Sequence, residues 1–397
     1  MFGLSPHENV LFAEICGHSH FYDHNLSGER TDTLLFLVVN DIEDKIFKRE
    51  GKNLRLGDSR CRALKRQAVY FLSATGIFGA IAASAQATPL QDPNGIWTLQ
   101  GENDAVSTLK GTSDRYYTSG LRFNWTSGTD NLPKPFHDVN KFLLGDGVQR
   151  ISLGVQQLIF TPSDTQNPNP SPSDRPYSSL LLGTVNFIND TDLSRSVAGI
   201  QFGIMGPGGL GRQLQNGFHG AIGDTKNLGW HHQLANQPIF QVQMGRIWRL
   251  PLVNFHGFGA DILPAISGAA GDYRTYGDVA GTFRIGEGLN SDFGNSTIGP
   301  GLDGTDAFTA TTPVAWYLYG GVEGQAVAYD ATLQGNTIRS NSPHVSKTWD
   351  VGEIHAGVAI MWHGVRLSYS QNWQTAQFDT AKAGLFNYGS LKLSVKF

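Results

Sequence analysis

Charge is scarce in this chain and thiols are nearly absent. Only 16% of its 397 residues are Asp, Glu, Lys or Arg, where a soluble enzyme usually carries nearer a quarter, about 25%. A formal net charge of −4 offers nucleic acid no basic surface, so a nucleic-acid partner is not expected. Both cysteines, Cys16 and Cys61, lie near the start, which removes disulfides, cysteine nucleophiles and thiolate metal ligands from everything after them. Long apolar runs are missing too. After residue 90 no stretch reaches the roughly 18 consecutive apolar residues that a membrane helix needs. What the chain does have is 48 glycines and 11% aromatics. That balance fits an all-β membrane barrel, whose lipid face shows only alternate residues.

The N-terminus reads separately. Arg60, Arg62, Lys65 and Arg66 precede an apolar core from Ala68 to Ala82, closed by Ala85-Gln86-Ala87. A basic start, a short apolar core and a small-x-small end make residues 60–87 a secretory signal peptide. Residues 1–59 then form a non-native or disordered extension ahead of the true start. The mature protein is expected to be a single barrel over 88–397.

From Ile96 on, segments of about ten residues alternate with turn residues, the pattern of transmembrane strands. Twelve are expected, near 96–104, 115–128, 149–162, 176–190, 195–206, 238–251, 253–267, 273–286, 313–328, 348–361, 363–375 and 386–397. An even number closes an antiparallel barrel with both termini on one side. In the last strand Leu391, Leu393, Val395 and Phe397 face one way and Lys392, Ser394 and Lys396 the other. A terminal Phe397 on such a strand looks like the mark read by the bacterial barrel-insertion machinery. With periplasmic termini, the connections near 105, 162, 207, 268, 329 and 376 open outward. One connection fits poorly: 287–312 is long for a periplasmic turn, or a strand boundary is misplaced there.

The unusual polar clusters fall in or beside the first three outward connections. Asn103 and Asp104 end the first strand and Thr118 opens the second, so hairpin pairing gathers a carboxylate, an amide oxygen and a hydroxyl. Such hard oxygens suit Ca²⁺, although Asn-Asp also simply opens loops. The connection 206–236 exceeds the about 12–15 residues of an ordinary loop. Within it Leu210 to Ile222 is expected to form a short extracellular helix, with Gln215 and His219 four apart on one face and Asp224 just beyond. His219 is a candidate base and Asp224 a carboxylate to raise its basicity; taken alone, a loop histidine is more often a plain surface residue. Arg175 is either a fork for phosphate or a structural ion pair at the rim. No Gly-x-Ser-x-Gly motif is present, so a hydrolase here would use His to activate water and a metal to polarise the ester.

Taken in order, Glu102-Asn103-Asp104, Asp114-Arg115-x-Tyr117-Thr118-x-Gly120, Thr161-Pro162-Ser163, Asp174-Arg175-Pro176-Tyr177, Gly206-Pro207 and Gln215-Asn216-x-x-His219 resemble the outer-membrane lipid A 3'-O-deacylases. The resemblance spans 88–397 and thins after residue 250. It implies a twelve-stranded outer-membrane barrel that uses Ca²⁺ to hydrolyse the 3'-linked acyloxyacyl ester of lipid A in lipopolysaccharide. His219 would activate water; Asp104, Asn103 and Thr118 would hold Ca²⁺ and the oxyanion; Gln215 would line the cleft. Asp224 stands where the family carries glutamate, and a family lysine has no match between Asp164 and Ser173. Two other readings stay open from the residues: a non-catalytic barrel, channel or structural, and an outer-membrane phospholipase.

Overall fold

The computed structural model describes residues 91–106, 115–298, 302, 304–339 and 341–397. The signal at 60–87, the extension at 1–59 and Asp114 lie outside the described residues. Twelve antiparallel strands form the barrel: β1 (Ile96–Asn103), β2 (Tyr116–Thr126), β3 (Val148–Thr161), β4 (Ser178–Asp190), β5 (Ser194–Met205), β6 (Gln237–Trp248, resuming as Leu250–Phe255), β7 (Phe258–Gly271), β8 (Arg274–Glu287), β9 (Val314–Asp330), β10 (Asp350–Trp362), β11 (Val365–Gln374) and β12 (Phe386–Lys396). Each pairs with its sequence neighbours, and β1 closes the ring on β12 with Ile96 opposite Lys396. Closure leaves no strand edge exposed to lipid.

Alternation sets the two faces. Leu391, Leu393 and Val395 of β12 are exposed, whereas Lys392 and Ser394 are buried in the lumen, as the sequence pattern requires. Trp97, Leu99, Leu121 and Phe123 likewise point outward from β1 and β2, and Gln100, Arg122 and Asn124 point inward. Phe397 stacks on Trp97 at 6.0 Å, and Trp97 on Phe123 at 5.0 Å, an aromatic girdle at the end that carries the termini. The short turns 191–193, 256–257 and 363–364 are at this same end, which makes it the periplasmic one.

One boundary differs from the sequence reading. The β6–β7 turn is at His256-Gly257, not near Leu252. Both residues have positive φ, 51° and 91°, as a tight type I′ hairpin turn demands. Pro251 sits at a bulge in the pairing with β7, where a missing N–H is tolerated.

The segment between β8 and β9 is no misplaced strand. It folds into the lumen as a plug held by buried ion pairs to the walls. Asp292 pairs with Arg284 of β8 at 2.7 Å and Arg366 of β11 at 2.9 Å. Asp306 pairs with Lys392 of β12 at 2.6 Å and Arg122 of β2 at 3.4 Å. Burial opposes the charge on Asp306, yet Arg122 and Lys392 outweigh it and hold the carboxyl well below the usual range. Further along, Arg195 of β5 donates to the carbonyls of Thr305 and Ala307. The Ile298 N–H reaches Glu102, near the outer end of β1, at 2.8 Å.

Among the described residues, three α-helices lie outside the sheet: α1 (Lys134–Leu144), α2 (Gly211–Ile222) and the single turn α3 (Ala331–Gln334). The expected extracellular helix is α2. The sequence reading did not foresee α1, which lies in the periplasmic connection between β2 and β3.

Candidate active site at the outer rim

Helix α2 presses onto the wall through glycine. Its lead-in bends at Gly206 (φ 103°) and Leu210 (φ 61°). A Cβ on Gly209 would lie 2.6 Å from the Ser179 carbonyl oxygen, and one on Gly211 would lie 2.6 Å from the Trp230 ring. Only residues without a side chain let the helix start approach β4 so closely. The Gly211 N–H then donates to Ser179 Oγ, and Gln157 of β3 donates to the Gly209 carbonyl.

This helix is amphipathic in the reverse sense of a soluble one. Leu210 at its N-cap and Leu214, Phe218 and Ile222 form an exposed apolar stripe, while polar Gln215 and His219 are buried beneath it. Gln215 accepts the Trp230 indole N–H at 2.9 Å, and Trp230 packs on Tyr177 with ring centroids 4.8 Å apart. One turn on, His219 Nδ1 meets the Thr225 carbonyl oxygen at 2.7 Å. A carbonyl oxygen only accepts, so Nδ1 carries the hydrogen and Nε2 is the basic nitrogen of the ring.

The neighbouring strand ends supply the oxygens. Asp104 begins a 3-10 turn after β1, is fully buried, and accepts the Arg115 N–H at 2.7 Å. Asn103 pairs with Ser119, which brings Asp104 level with Thr118. The β2–β3 pairing slips between Tyr117 and Ser119, so Thr118 is the extra residue of a bulge, a device that re-aims a side chain. It is buried and shares a 2.7 Å hydrogen bond with Thr161, the last residue of β3.

A model of the family described as Outer membrane protein LpxR matches residues 70–397. The chain belongs to this family. Membership bears out the resemblance carried by the ordered motifs and places the protein in the bacterial outer membrane. Among solved structures, LpxR from Salmonella typhimurium matches with a TM-score of 0.64 at 21% identity, covering 76% of this chain and 100% of that one. The beta domain of the Bordetella autotransporter BrkA matches with a TM-score of 0.39 at 11% identity, covering 77% and 100%. No curated protein matches the sequence.

Within this LpxR-family barrel the structure separates some of the expected site residues. Asn103 is half-buried and turns its amide oxygen to the Ala105 N–H at 2.6 Å, capping the turn that holds Asp104. Asp224 is exposed and binds the N–H and hydroxyl of Thr225. Its carboxyl is held below the usual range, chiefly by that N–H, then by the hydroxyl and by His219. Arg175 is buried, lies over the Phe160 ring, and donates to Gln377 and to Thr332, the latter at 2.6 Å. Burial pulls its guanidinium down to about 10, against the pull of Asp330. It ties three outer loops together, and its partners are uncharged.

Three contributors escaped the sequence reading. Thr161 stood in a quoted motif, but only the β2 bulge reveals its contact with Thr118. Nothing in the sequence marked Trp230 as the partner of Gln215. The Thr225 carbonyl is backbone, which no residue pattern can announce. The donor chemistry of Asp104, Thr118 and Thr161, one carboxylate with two hydroxyls, is that of a hard cation such as Ca²⁺. Among the described residues no three His, Cys, Asp or Glu side chains gather as a metal cluster, so a cation here would need neutral oxygens as well.

Proposed function

We propose that this protein is a Ca²⁺-dependent lipid A 3'-O-deacylase, with His219 as the base that activates water. The observation that carries this reading is the reversed helix α2. Its buried side holds Gln215 and His219 against the wall, and its outer side is an apolar stripe suited to acyl chains of the outer leaflet. A lipid ester can thus approach from the membrane plane and meet the polar side chains buried beneath the stripe.

In this mechanism His219 Nε2 takes a proton from water as the oxygen attacks the 3'-ester carbonyl. The C–O bond to the sugar then breaks, and the same proton passes to the departing 3'-oxygen. The products are a sugar hydroxyl and a free acyloxyacyl acid. The Thr225 carbonyl keeps Nδ1 protonated throughout, which fixes the ring for both transfers. Asp104 and Thr118, with Thr161, would hold Ca²⁺, which when bound would polarise the ester carbonyl. Asn103 shapes the Asp104 turn, and Arg175 braces the loops instead of gripping phosphate.

The channel reading meets a specific obstacle. The plug ties to β1, β2, β5, β8, β11 and β12, and a cavity beside it measures about 90 Å³. The test is mass spectrometry of lipid A from cells expressing the full chain or its His219→Ala variant. Loss of one acyloxyacyl unit with the native chain alone supports the assignment. Unchanged lipid A but released phospholipid acyl chains would move the activity to a phospholipase, and equal deacylation by both chains would refute the base.

A further inference from the structure

The chemistry proposed above makes no use of α1, yet this helix is built with care. It lies on the outside of the barrel. Phe136 packs on Phe187 with ring centroids 6.4 Å apart, and Asn189 donates to the Gly145 carbonyl at 2.6 Å. Phe187 and Asn189 belong to the outward row of β4, alternating with lumenal Asn186 and Ile188. Phe187 pairs across the sheet with Ala198 of β5, also outward yet only 7% exposed. The inner face of the helix is pinned by Asn140, which is fully buried and donates to the carbonyls of Arg150 and Ile188.

The remaining two faces differ sharply. Val139, Phe142 and Leu143 are 42%, 87% and 41% exposed and stand next to the wall-packed Phe136. About 130° around the helix from that group, by its 3.6-residue repeat, Lys134, Asp138 and Lys141 carry ion pairs, Lys134 with Asp138 and Lys141 with Asp146. An apolar face this exposed needs a cover. Its position on the barrel supplies one. The face continues the lipid-facing surface of the barrel, where Leu153 and Val155 of β3 are 44% and 53% exposed, and it lies at the periplasmic end.

We propose that α1 is an interfacial helix of the inner leaflet. Val139, Phe142 and Leu143 sit among phospholipid acyl chains just beneath the headgroups, and Lys134, Asp138 and Lys141 face periplasmic water. Amphipathic helices bind membranes in this orientation. This one, held to the wall by Asn140, would fix the depth of the barrel in the bilayer.

Because the chain has only Cys16 and Cys61, replacing both with serine allows unique labels. The full chain would carry either Phe142→Cys or Lys141→Cys, with a nitroxide attached, in phosphatidylethanolamine–phosphatidylglycerol vesicles. Electron paramagnetic resonance then compares quenching by oxygen, which partitions into lipid, with quenching by a water-soluble nickel chelate. The expected result is a several-fold preference for oxygen at 142 and the reverse at 141. Both sites are exposed, so folding is retained, and heat-modifiable gel mobility checks it. Two results would overturn the proposal: nickel access at both sites, meaning a helix standing in water, or shielding of 142 from both reagents with label–label broadening, meaning a second copy covers the face.

Discussion

Helices α1 and α2 sit at opposite ends of one barrel, and each turns an apolar face away from it. Their differences lie underneath. Beneath α1 is a single Asn140 that donates to two strand carbonyls, a contact that fastens and does nothing else. Beneath α2 are Gln215 and His219, the latter with its tautomer set by a backbone carbonyl. Strands β3 and β4 lie next to both helices. On the roles proposed for the two helices, an outward apolar stripe marks where each meets lipid, and the polar residues on the inner face tell the anchor from the site of chemistry.

Exchanging the roles of those inner residues should break the comparison most sharply. His219→Ala is expected to lower deacylation by about 10²–10⁴-fold, the usual contribution of a general base, while the barrel still assembles. Asn140→Ala should leave turnover per folded molecule unchanged. Lipid A mass spectrometry on matched amounts of folded protein decides both, and a large loss of turnover in the Asn140 variant would dissolve the distinction.

The lumen supplies a control lying under neither helix. Asp306→Asn would strand Lys392 and Arg122 beside a neutral amide, and breaking such a buried pair costs about 3–5 kcal/mol. Its pH dependence has a definite sign. A carboxyl held below its unfolded value, about 3.9, lends stability that is fully present above that value. The stability is lost as pH falls below about 4. Native protein should therefore lose resistance to urea on acidification below about pH 4, and the Asp306→Asn variant should lose less. Equal losses, followed by tryptophan fluorescence, would show that the plug does not hold the barrel.

Much of this was legible beforehand because a barrel writes its faces into alternate residues: Leu391 to Phe397 gave the lipid row and Lys392 to Lys396 the lumenal one. The outer-rim motifs were legible for the same reason, since topology decides which loops share an end. What stayed hidden depended on contacts between distant segments. Asp292 and Asp306 look like ordinary loop residues until Arg284, Arg366 and Lys392 are seen facing them across the lumen. Val139, Phe142 and Leu143 suggested no strand and were too short a run to suggest a membrane segment. Arg175 read as either an anion fork or a rim ion pair because its neutral partners, Thr332 and Gln377, lie more than a hundred residues away.

The anchoring side of the comparison can be sharpened by Asn140→Ala on its own account. Removing its amide deprives the Arg150 and Ile188 carbonyls of a donor where water is excluded, a cost of about 1–3 kcal/mol. The midpoint of urea unfolding in vesicles should fall accordingly, with the slope unchanged. An unchanged midpoint would mean that lipid contact alone holds α1 in place.

The smallest effect belongs to Asp224, and it tests the catalytic side. Paired histidine and carboxylate would predict a heavy loss on neutralising it, but here Thr225 receives the carboxylate and offers its own carbonyl to His219. Asp224→Asn can still accept the Thr225 N–H, so the loop that aims the ring survives. The carboxyl is also held below the usual range, so it keeps its charge across neutral pH and adds no step to the rate profile there. Activity should fall less than about tenfold, under 1.4 kcal/mol, with the pH profile between 5 and 9 unaltered. A loss as deep as that of His219→Ala would mean that the carboxylate itself, not the Thr225 carbonyl, orients the base.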